Sequence, residues 1–561
     1  MSRIRLAGTV GALVLLLCAA TAHATITIVD TDSPGEGFND PTPVTPVGGN
    51  PGTTLGQQRL NVFTHAAAIW DGILQSPVEI RVQASFDPLF CAATSAVLGS
   101  AGPMSAERNF PGQGFAGTWY VTAEANRLNG TDLEPGLDDI VAQFNSSLGT
   151  PGCLTGRDWY YGFDDNEGAA GIDLLPVVLH EIGHGLGFLT LTDESDGTEF
   201  GGTPTIFDRF LMDDVTGEHW VDMTDAERVT SSIHSGHLVW DGPVVTSDAP
   251  LFLGKRPHVL ATGALNADLV ALQATFGAPL TDAGFTGDVV DVNDGVSPVT
   301  DACETPFVNA AAVSGHIVLI DRGTCTLAQK AVNAQAAGAS GILFVNTVAG
   351  TPGTVSGVAP SVTIPIASIS MEDGAAIRAA LVNGPVHVNM ILDDVFHAGA
   401  DDADRVKMFA PNPDQPGSSV SHWDVTAYPN LLMEPAINAD LTTKVDLTYA
   451  AFRDIGWFAG VLAAPPAPPP ATLALEVGPN PSHGATRVRF SLPVAGSVDL
   501  ALFDVAGRRV TRLAHGRYPA GEHTIAWAGR DDRGREVGAG VYLARLDAGG
   551  AVRTTHVVRV E

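Results

Sequence analysis

The sequence predicts a multidomain protein: an α+β domain, a smaller α/β domain inserted into it, and a C-terminal β-sandwich. Three observations predict this. A helix and period-two strands lead into an apolar helix at residues 171–188. A strand–helix–strand pattern of different character fills residues 265–392. Beyond a proline-rich stretch at 461–470, short alternating segments and turn signals recur to the end of the chain. Each change of hydrophobic period marks a change of layer architecture, and 561 residues suffice for three or four domains.

Taken in order, residues 1–24 read as a signal peptide. Arg3 and Arg5 precede a short apolar core around Leu13–Leu17, and Ala22-His23-Ala24 is a small-residue cleavage site. No later stretch is long and apolar enough to span a bilayer, so the expectation is an exported protein without a transmembrane anchor. The net charge of −32 argues against nucleic acid and anionic membranes as partners. Four cysteines remain after the signal peptide. Their spacing pairs Cys91 with Cys153 and Cys303 with Cys325, each pair inside one domain, as expected in an oxidising compartment.

The first part of the α+β domain, residues 25–264, opens with a strand at Ile26–Val29. Helical spacing from Gln57 to Leu74 offers Leu60, Phe63, Ala67, Ile69, Trp70 and Leu74 as one broad face. Val78–Ser85 alternates as a strand, and Ile140–Phe144 is another short one. The helix within 171–188 then begins at Asp173, a capping residue, with Pro176 in its first turn, where a missing N–H is harmless. Gly183, Gly185 and Gly187 weaken it at its far end.

This helix carries His180-Glu181-Ile182-Gly183-His184. Imidazoles four apart share one helix face and can ligate one metal ion, while Glu181 beside them can hold a water without being a ligand. The pattern is H-E-x-x-H, the signature of zinc peptidases. Zinc needs a third protein ligand, leaving one position for water. Asp193, His219, His234, His237, His258, His316, His397 and His422 all lie downstream.

The run His180–Gly187 resembles the start of the metzincin pattern H-E-x-x-H-x-x-G-x-x-H, except that Thr190 stands where most metzincins place the third His. Ser421-His422-Trp423-Asp424, followed by Leu431-Leu432-Met433-Glu434-Pro435, resembles the leishmanolysin subgroup. There the third His follows a long insertion and precedes a Met-turn. The resemblance implies His422 as third ligand and Met433 as the Met-turn residue, with Asp193 as the runner-up ligand. It also implies a helix after the Met-turn. Val445–Trp457 reads as one, capped by Asp446 and ended by Gly456, within the domain's second part at 393–460.

Between the two parts, Gly315–Cys325 reads as a strand and turn, Leu327–Ala337 as a helix and Gly341–Asn346 as an apolar strand. Thr363–Ile369 and a helix over Glu372–Leu381 follow, and His316 belongs with the first strand. Asp321-Arg322-Gly323-x-Cys325, Lys330, Asn333-Ala334-Gln335 and Ala337-Gly338-Ala339 resemble the protease-associated (PA) domain, so 265–392 is expected to be an inserted PA domain, a substrate-selecting lid or a spacer. Such an insertion requires that its ends lie close together.

Residues 461–470 form a proline-rich linker. In 471–561, Val488, Phe490 and Leu492 alternate, as do Val498, Leu500 and Leu502, which predicts an immunoglobulin-like β-sandwich. Phe503–Arg508, Trp527-x-Gly529-x-Asp531 and Gly540–Leu543 resemble flagellar-hook-capping-like and type IX sorting-type domains. That implies contact with secretion machinery or a bacterial cell surface.

The function expected is an exported zinc endopeptidase of metzincin type acting on protein or peptide substrates. His180, His184 and His422 hold Zn²⁺, and Glu181 is the general base. Two rivals are an inactive secreted binding or adhesion protein that keeps the fold, and a PA-domain exopeptidase. Acidic loops at Asp164-Asp165-Asn166-Glu167 and Asp401-Asp402 are the candidate Ca²⁺ positions, with solvated surface as the bland alternative.

Overall fold

A computed structural model of the chain describes residues 25–458, except 169, 283, 437–440 and 442. It also describes residues 473–560, except 479, 481, 483–485, 493–495, 519–520 and 549–550. The signal peptide and the linker at 461–470 lie outside the described residues.

Residues before and after the insertion build one core. A single hydrophobic cluster takes in side chains from Ile26 to Leu253 and again from Ala400 to Phe458. Its sheet runs Ile26–Asp30, Ile80–Asp87, Ile140–Asn145, Gly99–Pro103. The first three strands are parallel and the last is an antiparallel edge. Ile80, Val82, Ala84 and Phe86 are buried at alternate positions, the period-two pattern of a strand.

The helix Leu55–Asp71 covers this sheet, with the Thr54 side chain accepting from the N–H of Gln57 at its start. Phe63, Ala67, Trp70 and the following Leu74 are buried as expected. The face is rotated from the expected one, however. Val62 and Ala66 are inside, while Leu60 is 38% exposed and Ile69 only partly covered. At about 100° per residue, Leu60 and Ile69 fall on opposite margins of the stripe centred on Phe63 and Trp70.

A second, four-stranded sheet joins the two halves directly. Leu238–Trp240, before the insertion, pairs antiparallel with Val406–Lys407, after it.

The insertion is built on an eight-stranded sheet. Phe285–Asp291, Ile317–Asp321, Gly341–Val345 and Ile366–Ile369 are parallel neighbours. The helices Leu327–Ala336 and Met371–Leu381 connect within it, and separate apolar clusters fill its two faces. This is the β-α-β arrangement expected from the apolar second strand. The sheet extends past 265–392 on both sides, because Lys255–Gly263 pairs with Val386–His397. Lys255 lies opposite His397, so the chain enters and leaves the insertion on adjacent strands.

The C-terminal domain is two packed sheets, of three and four strands, around Val488, Phe490, Leu492, Val498, Leu500 and Leu502. Both expected disulfides are formed, Cys91–Cys153 and Cys303–Cys325. Among the described residues, no helix is long and apolar enough to cross a membrane.

Candidate metal centre

The site is assembled on the helix Leu174–Gly185. The carboxylate of Asp173 caps it by accepting the Leu175 N–H at 3.0 Å. The helix is buried along its length, and small residues let it sit close to its neighbours. A Cβ on Gly185 would come 2.4 Å from Ile140 of the sheet, and one on Gly183 would come 2.8 Å from Met433 Sδ. Two indoles hold carbonyls of this segment, one mid-helix and one just past its C-terminal end. Trp70 Nε1 donates to Leu179 at 3.2 Å, and Trp457 Nε1 donates to Leu186 at 2.9 Å. Gly187, at φ +115°, then turns the chain away.

His180, His184 and His422 meet at this helix although 238 residues separate the last two. Their Nε2 atoms lie 3.1 Å apart for His180–His184, and 3.2 Å apart for His184–His422 and for His180–His422. A tetrahedral zinc site with Zn–N of roughly 2.0–2.1 Å spaces its nitrogens about 3.3–3.4 Å. Each Nδ1 faces a backbone carbonyl: Leu432 at 2.7 Å, Phe188 at 2.8 Å and Ser418 at 2.7 Å respectively. An Nδ1–H donated to a carbonyl leaves the lone pair on Nε2. Three lone pairs therefore converge on one point, where they repel unless a cation accepts them.

Burial pushes the His180 imidazole down to about 4 and the His184 imidazole down to about 3; His422 is held well below its ordinary value for the same reason. All three rings are thus kept neutral, the ligating form. Residue types, spacing, tautomer and protonation all fit Zn²⁺.

Glu181 points toward the edge strand. A Cβ on Gly99 would lie 3.0 Å from its Cγ, so only glycine permits this approach without displacement. Burial raises the carboxyl to about 8, opposed by a hydrogen bond from the Ala101 backbone. Met433 is fully buried and packs under the helix at Gly183; its carbonyl accepts the Trp423 N–H at 2.8 Å. The helix after it, Leu447–Ile455, is capped by Asp446 and ended by Gly456 in the left-handed region.

The other downstream candidates are engaged elsewhere. Asp193 bonds Ser195, and among the described residues it is in no metal-ligating cluster. The Thr190 hydroxyl donates to the buried Asp208, and its N–H donates to Ser421 Oγ. His219, His234, His237, His258 and His397 each face an aspartate, and His316 lies against Ser314 just before its strand. Among the described residues, neither acidic loop forms a group of three or more metal-ligating side chains. Asp164 takes the Tyr160 hydroxyl, Asp401 pairs with Arg405 and Asp402 with Arg256. One acidic cluster that the sequence did not single out, Asp294, Asp301 and Glu304, lies in the insertion. The carbonyls of Leu432, Phe188 and Ser418 were also missed, because a backbone acceptor leaves no residue-type signal.

Residues 285–377 match the PA domain family and residues 480–551 match the FlgD Ig-like domain family, so both domains are present. The probable leucine aminopeptidase 2 of Aspergillus fumigatus is 38% identical over 86 residues, which are 15% of this chain and 17% of that protein. Leucine aminopeptidase 2 of Trichophyton rubrum is 33% identical over 87 residues, 15% and 17% of the two chains. The chain thus spans about a sixth of the length of these curated relatives. A zinc aminopeptidase structure from Bacillus subtilis is 24% identical, covering 27% of this chain and 36% of that one, with a TM-score of 0.19.

Proposed function

We propose that this chain is an exported zinc endopeptidase of metzincin type, with His180, His184 and His422 as zinc ligands and Glu181 as general base. The observation that carries it is the convergence of three neutral Nε2 atoms, each ring fixed by a carbonyl on its other nitrogen. Bound there, Zn²⁺ supplies Lewis acidity toward the scissile carbonyl and lowers the pKa of water. The two disulfides fit an extracellular setting, and the FlgD-like domain supports a surface or secretion role.

The protein's own groups supply the rest. The edge strand Gly99–Pro103 is the last strand of its sheet, the position at which an extended peptide would add as a further strand. Glu181 lies beside that edge. Its carboxylate takes a proton from the attacking water and returns it to the leaving amine. A peptide added along a strand edge continues in both directions, which favours internal cleavage.

The aminopeptidase likeness supports the exopeptidase reading less well. The shared stretches of 83–87 residues are about as long as the PA segment, and all three histidines lie outside 285–377. The test uses an N-terminally blocked peptide. Wild-type protein should cleave it internally, and Glu181→Gln should lose at least about a hundredfold in turnover while keeping one zinc per chain. Turnover confined to free-amine substrates would establish the exopeptidase instead. Full activity in Glu181→Gln would remove Glu181 from the mechanism.

A further inference from the structure

The three histidines are not oriented by the same kind of partner. His184 and His422 each donate Nδ1–H to a carbonyl four residues away in the chain. Their partners arrive with the local backbone. His180 donates to Leu432, 252 residues downstream. Its ring therefore takes the direction that the 431–434 turn dictates, and the position of that turn must be secured separately.

Asp446 secures it. One carboxylate oxygen, Oδ2, accepts the Leu432 N–H at 2.6 Å. The other, Oδ1, accepts the N–H of Thr448 at 3.1 Å and its hydroxyl at 3.0 Å, capping Leu447–Ile455. The far end of that helix leads to Trp457, whose indole holds Leu186 beyond His184. The terminal helix thus holds the motif helix at two places, in its middle at His180 and just past its C-terminal end at Leu186. Trp457 acts on the carbonyl of Leu186, and Asp446 acts through Leu432 on His180.

We propose that Asp446 is a positioning residue for the metal centre, holding Leu432 so that its carbonyl fixes the ring of His180. The inference rests on the zinc reading above. The residue type follows from the demand: two N–H groups and a hydroxyl need two acceptor oxygens on one short side chain. Serine at this position can still cap the helix, but its single oxygen cannot also hold Leu432. Asparagine keeps the shape but has one acceptor oxygen, so it serves one side or the other.

The test compares wild type, Asp446→Ser and Asp446→Asn, all as full chains. Zinc affinity is measured by competition with a chromophoric chelator, and the cobalt-substituted proteins are compared by their visible d–d bands. Histidine side chains labelled with ¹⁵N report the three Nδ1–H signals. Expected are an affinity loss of about 10–100-fold, the range for removal of an outer-sphere partner, and altered cobalt bands. Of the three Nδ1–H signals, that of His180 should move while those of His184 and His422 stay. Should Asp446→Ser not fold, Asp446→Asn carries the same three readouts. Wild-type zinc affinity and an unmoved His180 signal in a folded variant would overturn the inference and leave the zinc reading intact. Wild-type protein that binds no zinc would instead bring down the zinc reading, and this inference with it.

Discussion

The helix Leu174–Gly185 and the loop 418–434 deliver histidines to one candidate metal centre by opposite means. On the helix, two histidines four apart are aligned by helical geometry alone. On the loop nothing regular aligns His422. It is placed by a mesh of long-range hydrogen bonds: Phe409 N–H to the His422 carbonyl at 2.9 Å, Trp423 N–H to the Met433 carbonyl at 2.8 Å, and Thr190 N–H to Ser421 Oγ at 3.1 Å. The helix would keep its two-histidine face if cut from the protein and stabilised. The loop has no such independence. Regular secondary structure encodes a histidine pair in five residues, whereas bringing the third histidine to it needs the whole core.

The sharpest way to break this comparison is to remove the loop's ligand. His422→Ala should lower zinc affinity by more than the ~100-fold typical of outer-sphere partners, while Asp193→Ala, at an exposed turn, should leave it unchanged. Equal effects in a chelator competition would remove the loop from the site.

A smaller effect is expected where helix and loop touch. A methyl group at Gly183 meets Met433 Sδ at 2.8 Å and Cε at 3.3 Å. The methionine can shift but its packing suffers, so Gly183→Ala should cost about 1–3 kcal/mol in denaturant unfolding of the metal-free protein. Unchanged or raised stability would mean that this contact is loose.

The helix cap sharpens the comparison through pH. Burial pushes the Asp173 carboxyl up to about 7, with Asp165, Glu167 and Asp164 adding to it. Unfolded, it titrates near 3.9. A raised folded value means that its stabilising contribution is fully present below about pH 4 and is lost as pH rises through about 7. Asparagine caps as well without titrating. Metal-free Asp173→Asn should therefore melt higher than wild type above pH 7 and show a flatter profile between pH 4 and 7. Parallel melting curves for the two proteins would contradict the assignment.

The smallest effect is expected from the C-terminal sandwich. Arg487 reaches Asp404 at 3.1 Å, an exposed ion pair. Such pairs contribute ~0–1 kcal/mol, so removing residues 471–561 should leave turnover of a blocked peptide within about twofold. A large loss in a folded truncation would give that domain a catalytic role.

How far the sequence could be read follows the same divide. Asp173 as cap, Ile80–Val82–Ala84 as an inward strand face, the helices at 327–336 and 447–455, and the sandwich strands around Val488 and Leu500 all follow from short-range periodicity. Steric period and capping chemistry act over a few residues and leave a mark in any window that long. The margins were read less well. Leu60 lies outside the core, and the insertion's sheet reaches back to Lys255, because strand partners come from the far side of the insertion and no local pattern announces them.

Residue types and spacing alone define the pair His180 and His184, the carboxylate beside them, and the presence of an insertion whose ends must meet. The placing of His422 beside that pair, rather than any of seven other downstream candidates, was available from the sequence only as a resemblance. In the structure it follows from position: His422 reaches the pair, while five of the other histidines are taken up by aspartates. The turn of the rings, the tautomers and the link from Asp446 to His180 rest on backbone carbonyls and N–H groups. Every residue carries these, so no sequence pattern distinguishes the ones that matter. Only packing, by bringing Leu432 against a helix 252 residues earlier in the chain, decides which of them act.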